Sequence, residues 1–138
     1  MSEQRGPALA LHRLQLSSVW VSDISAARRK AREGDPAGPS VNANGPRGVA
    51  LIANSLGFRC TFDVQVVIPL PEGEAFQGQL RLLAHFSASE RVSLRIAREF
   101  SRTQAVYLLW PYARAYFDQV SMLCGFGAPP LPLLVVPR

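Results

Sequence analysis

Lysine is nearly absent from this chain of 138 residues, which carries one, Lys30, beside fourteen arginines and ten acids. Cysteine is scarce as well. Cys60 and Cys124 each sit in an apolar pattern without neighbouring ligand residues, which excludes a disulfide framework or a zinc cluster and reads as two buried free thiols. No apolar run approaches the roughly 20 residues of a membrane span. The start, "MSEQRGPALALHRLQL", fails as a signal peptide because His12 and Arg13 break its apolar residues and no small-residue cleavage site follows. A cytoplasmic protein of one domain, residues 1–138, is the expectation.

The sequence is equally short of catalytic signatures. Its two histidines, His12 and His85, lie in strand patterns, and neither accompanies a G-x-S-x-G or H-E-x-x-H motif. No two acids share a predicted helix face inside an apolar groove, and "NANGPRG" lacks the lysine and the spacing of a phosphate-binding loop. These absences point away from an enzyme and leave no need for a cofactor or a metal. The net charge of +5 is scattered except in "AARRKAR", Ala26 to Arg32. That run reads as a solvated segment beside a loop; the alternative, from another functional class, is a basic module that binds nucleic acid.

Periodicity supplies the architecture. Leu14, Leu16, Val19 and Val21 mark a first strand within Leu9 to Ile24, and their change from even to odd positions predicts a bulge near Ser17 and Ser18. The segment from Glu33 to Gly48 holds four glycines and three prolines and reads as a mobile loop, followed by a short strand from Val49 to Asn54. In "FRCTFDVQVVIPL" the even positions from Phe58 to Ile68 are apolar, and after the turn "PEGE" the even positions Phe76, Leu80, Leu82, Ala84 and Phe86 are apolar again. The pair predicts an antiparallel hairpin with coincident apolar faces.

Beyond Ser87 the period changes to that of a helix. Ser89 is placed as its cap, with Val92, Ile96 and Phe100 following at four-residue spacing. A second helical run, Thr103 to Cys124, has one apolar stripe through Ala105, Leu108, Leu109, Tyr112, Tyr116, Val120 and Leu123 and another through Val106, Trp110, Ala113, Phe117 and Cys124. A helix apolar on two sides needs cover on both, so a partner subunit is expected. Pro111 predicts a kink or a restart, Gly125 a left-handed stop, and residues 126–138 an extended tail rich in proline and leucine.

"LWPYAR", Leu109 to Arg114, with the "VSMLCGFGAPPLPLLVVP" that follows, resembles the SecB family of protein-export chaperones, as do "LQLSSVWVSDIS" from Leu14 to Ser25 and "AFQGQLRLLAHFS" from Ala75 to Ser87. The resemblance implies an α+β fold, a four-stranded antiparallel sheet with a helical layer containing the long proline-kinked helix. It also implies a homo-oligomer, a dimer or dimer of dimers, built through first strands and long helices. Its activity would be nucleotide-independent holding of unfolded, export-bound polypeptide in apolar grooves. Export members dock the motor SecA through acids on the sheet face; Asp23 remains here, whereas Ala27 and Gln79 stand at the later positions. Other SecB-like proteins protect the antitoxin of a toxin-antitoxin pair, a role that suits the loss of those acids. On this reading Trp20, Phe86, Tyr107, Trp110, Phe126 and Leu131 are candidates for the peptide groove. Val19, Val21, Phe76, Val106, Trp110, Ala113 and Phe117 are candidates for the oligomer interface, and Asp23 for partner docking.

Overall fold

The computed structural model describes residues 14–123 and 125. Four strands, β1 (Gln15–Lys30), β2 (Ser40–Leu51), β3 (Gly57–Leu70) and β4 (Glu74–Ser87), form one antiparallel sheet in the order β1-β4-β3-β2. A helical layer follows: α1 (Leu94–Phe100), a π-helical turn (Ser101–Ala105) and α2 (Val106–Leu123). The α+β class and the single sheet agree with the sequence reading.

The hairpin of β3 and β4 is the centre of the sheet. Phe58 pairs with Phe86, Cys60 with Ala84, Phe62 with Leu82, Val64 with Leu80 and Ile68 with Phe76, so the two apolar sets share one face and are all buried. Glu72 and Gly73 take positive φ in the connection, which closes it as a tight turn. One position of this face has no side chain. A Cβ at Gly78 would come within 2.9 Å of Phe117 Cε1 and 3.2 Å of Val66 Cγ2, so the glycine is the notch in which the Phe117 ring rests.

Both outer strands depart from the expected boundaries. β1 starts at Gln15 and runs on through Arg28, Arg29 and Lys30, placing most of the basic run inside a strand. Its register shifts between Leu16 and Ser18, where the sequence predicted a bulge, and again between Val21 and Asp23. The Ser17 hydroxyl released by the first shift donates to the His85 carbonyl at 3.0 Å. β2 occupies Ser40–Leu51 and includes all of "NANGPRG", whose composition predicts a loop. An edge strand tolerates this composition because only one of its sides must hydrogen-bond. Pro46 falls in the register gap between Asn44 and Arg47, and Gly48, with φ 63°, in the gap between Arg47 and Ala50. The true loop is shorter and is clamped: Asp35 accepts two hydrogen bonds from the Arg29 guanidinium, both at 2.9 Å, and one from the Arg32 amide at 2.7 Å. Those donors hold the Asp35 carboxyl well below the usual carboxylate range.

The helix starts later than expected, because Ser93, not Ser89, accepts the Ile96 amide as its cap. Residues 88–92 are drawn out across the end of the sheet, where the Ala88 and Val92 amides donate to the Leu56 and Ser55 carbonyls. The two predicted helical runs join through the π turn, in which the Thr103 hydroxyl donates to the Glu99 carbonyl at 2.8 Å. A π turn contains one residue more than an α turn, and one residue is about 100° of rotation. From its last residue onward the sheet-facing positions are Ala105, Val106, Leu109, Trp110, Ala113, Phe117 and Ser121, all buried. The expected irregularity therefore lies at Ser101–Ala105; the helix continues from Val106 to Leu123 with Pro111 inside it, on the exposed side. Gly125, at φ 90°, donates to the Met122 carbonyl in the left-handed conformation expected of it.

Phe100 stacks edge-on against Phe58 and Phe86 at one end of the hairpin, and Phe117 sits on Gly78 toward the other. The seventeen helical steps from Phe100 to Phe117 span about 25 Å, close to the length of the eight strand steps from Phe58 to Val66. One helical rod thus covers the hairpin lengthwise. Gly78→Ala will overpack this contact and destabilise the fold by about 1–3 kcal/mol, read as a lower midpoint of denaturant unfolding. An unchanged midpoint would show that Phe117 does not depend on the notch.

Candidate functional site

The side of α2 that faces away from the sheet is apolar too. Tyr107, Leu108 and Tyr112 form an exposed apolar ridge along its first turns, and Met122 and Leu123 are exposed at its end, whereas Tyr116 and Val120, at the same four-residue spacing, are half-buried and pack against the core. Tyr107, Leu108 and Tyr112 are each more than 40% exposed, and Leu123 is 86% exposed. Exposed apolar residues that form a continuous ridge, as opposed to single ones, mark an interaction surface.

One stripe of α2 does not take the role expected of it. Val106, Trp110, Ala113 and Phe117, expected at a subunit interface, are buried against the chain's own sheet, as is Phe76 on β4. Phe86 and Trp110, expected in a peptide groove, are also core: Phe86 stacks on Phe58 at 5.0 Å and meets Phe100 at 5.0 Å. The reason is the rotation introduced by the π turn, which the spacing of apolar residues does not reveal. Of the groove candidates, Tyr107 lies on the outward helix face and Trp20 on the opposite side of the domain, so the fold does not bring them together within one chain. Phe126 and Leu131 lie outside the described residues. Val19 and Val21 line the helix-facing side of the edge strand β1, half-buried, with Ile24 exposed beside them. Leu108 and Tyr112 are the exposed residues that the sequence reading left out of its site.

Away from the helix the sheet is mostly polar. Asp23, opposite Arg81 on β4, lines a hollow of about 170 Å³ together with Asn44, Asp63, Gln65 and Gln79. Asp63 accepts from Arg47 Nε at 2.6 Å and from Arg81 Nε at 2.8 Å. Desolvation pushes its carboxyl up, but the hydrogen bonds from the two arginines outweigh it and hold the group below the usual carboxylate range. Ala27 and Gln79 lie in the next hollow, with Ser25, Arg29, Arg32 and Gln77 and no carboxylate among its lining residues. The basic run is partly neutralised, since Arg28 pairs with Glu74 at 2.6 Å and Arg29 with Asp35.

Catalytic chemistry finds little here. Burial pushes the Cys60 thiol up to about 12 against a smaller opposing effect of Ser101, which leaves it protonated and inert at neutral pH. Among the described residues no three His, Cys, Asp or Glu side chains gather as metal ligands, and no helix is long and apolar enough to cross a membrane.

No protein-family model and no curated protein matches the chain. Solved structures do match, among them the SecB-like chaperone of Mycobacterium tuberculosis in complex with a ChAD peptide from the HigA1 antitoxin. The TM-score is 0.72 at 17% sequence identity, over 96% of this chain and 95% of that one. The chain therefore has the SecB-like fold.

The Arg47–Asp63–Arg81 cluster has a signature in acid. A carboxyl whose folded pKa is lowered stabilises the fold above its unfolded pKa of about 4, and this contribution is lost as the pH falls through the folded value. Asp63→Asn will cost about 1 kcal/mol or less at pH 7 and make the loss of stability below pH 4 shallower. Identical acid unfolding curves for the two proteins would contradict the pairing.

Proposed function

We propose that this protein is a chaperone that holds unfolded polypeptide without nucleotide. The observation that carries the reading is the outward apolar ridge of α2, displayed on a fold shared with a SecB-like chaperone. Aromatic side chains such as Tyr107 and Tyr112 offer large contact area at small entropic cost, and a ridge without a deep pocket accepts many sequences because none must match a unique shape. The ridge and the half-covered β1 residues Val19 and Val21 also suit assembly of the chain with copies of itself, as a dimer or a dimer of dimers. What assembly leaves open is available to clients.

Two client classes fit. General export clients would need the translocase motor, and Asp23, facing Arg81 and without acids at 27 and 79, offers that partner little. A dedicated aggregation-prone client such as an antitoxin is favoured by the peptide bound to the mycobacterial chaperone. The reading as a nucleic-acid-binding module is weakened by the pairing of Arg28 and Arg29 with carboxylates.

The test is light scattering from chemically denatured clients diluted into buffer without nucleotide. Substoichiometric protein will delay their aggregation. Leu108→Asp combined with Tyr112→Asp, both at exposed positions, will keep the circular dichroism of the wild type and weaken client binding about tenfold or more. Failure of the folded wild type to delay aggregation of several clients would sink the chaperone reading; full activity in the double variant would move the binding surface elsewhere.

A further inference from the structure

On the face of the sheet turned away from the helix, Trp20 of β1 lies directly across from Leu83 of β4, which in turn pairs with Thr61 of β3. Leu83 interrupts an otherwise polar series on that face of β4: Gln77, Gln79 and Arg81 precede it. The Trp20 and His85 rings meet edge to face, 5.0 Å apart at 79°. Together with Arg59 and Gly48 these residues enclose a hollow of about 270 Å³ that reaches from β1 to β2. Trp20 and Leu83 make one end apolar, and Arg59 stands two inter-strand steps, about 10 Å, from the tryptophan strand.

Arg59 differs from its neighbours on this face. Arg29 is bound to Asp35, and Arg47 and Arg81 are both bound to Asp63. Arg59 is exposed and has no ion pair among the described residues. A cation left without a counter-charge, beside an apolar hollow with the volume of one large side chain, is complementary to a carboxylate next to an apolar residue. In an extended peptide, side chains two positions apart point the same way and lie about 7 Å from each other. That spacing lets one enter the hollow while the other reaches the guanidinium.

We propose that this hollow is a client subsite for extended polypeptide in which a large apolar residue lies two positions from an Asp or Glu. The proposal rests on the chaperone reading and adds to it a preference for acidic clients and a site on the side of the domain away from the α2 ridge. A nucleic-acid strand fits less well. It requires a row of cations, and beyond Arg59 this face continues into Arg47 and Arg81, already held by Asp63, with Asp23 beside them.

The experiment uses the full chain and fluorescence anisotropy of a labelled, unstructured peptide carrying one Phe two positions before a Glu. The same peptide with Lys in place of Glu serves as the counterpart, and an unlabelled single-stranded oligonucleotide as a competitor. The acidic peptide will bind about fivefold tighter than its counterpart at low salt, the upper range for an exposed ion pair. Arg59→Glu will abolish or reverse that preference, and Trp20→Ala will weaken both peptides alike. Emission from Trp20 will respond to the peptide, because Trp110 is fully buried. Absence of binding, equal binding of the two peptides, a preference unchanged in Arg59→Glu, or displacement by the oligonucleotide would overturn the subsite. If the wild type still delays aggregation of uncharged clients in those cases, the subsite falls alone; if it delays none, the chaperone reading falls with it.

Discussion

The phase of one helix controls this structure. β3 and β4 present a continuous apolar face, and the single rod formed by α1, the π turn and α2 has to cover it along its length. Phe100 must meet Phe58 and Phe86 while Phe117 meets Gly78. The π turn between them supplies the extra residue that turns Val106, Trp110, Ala113 and Phe117 onto the sheet. The same rotation sends Tyr107, Leu108 and Tyr112 outward. Core packing and exposed ridge are therefore one choice seen from two sides, and a change in the π turn would alter both.

The parts of the fold that follow from alternation were legible in the sequence. The even apolar positions of β3 and β4 identify the hairpin, its register and its buried face, and the parity change after Leu16 identifies the first bulge of β1. Composition misled where topology decides: "NANGPRG" has the residues of a loop, yet an edge strand accommodates its proline and glycines at gaps in the ladder. Ser89 has the chemistry of a cap but lies on a segment that the Ser55 and Leu56 carbonyls hold extended, leaving Ser93 to start the helix.

The site was less legible than the fold for a specific reason. Both stripes of α2 are apolar, and hydrophobicity alone cannot say which one meets the sheet; that depends on a π turn without a sequence signature. The interface residues expected on α2 and Phe76 are therefore core residues, and the exposed ridge is made of Tyr107, Leu108 and Tyr112. The face beyond the sheet shows the converse. Leu83 among polar residues of β4 and Trp20 on β1 were visible as separate exceptions to alternation, but their meeting depends on the β1–β4 register, which is shifted by two bulges.

Among the described residues one helical rod faces a sheet of four strands and leaves Tyr107, Leu108 and Tyr112 exposed, and this apolar surface links assembly to client holding. The most direct measurement is the solution mass of the protein by multi-angle light scattering, alone and with a permanently unfolded client. Alone it should be a multiple of the single-chain mass, and with the client it should rise by the mass of the bound polypeptide without nucleotide. A folded monomer whose mass does not change when the client is added would contradict the central claim.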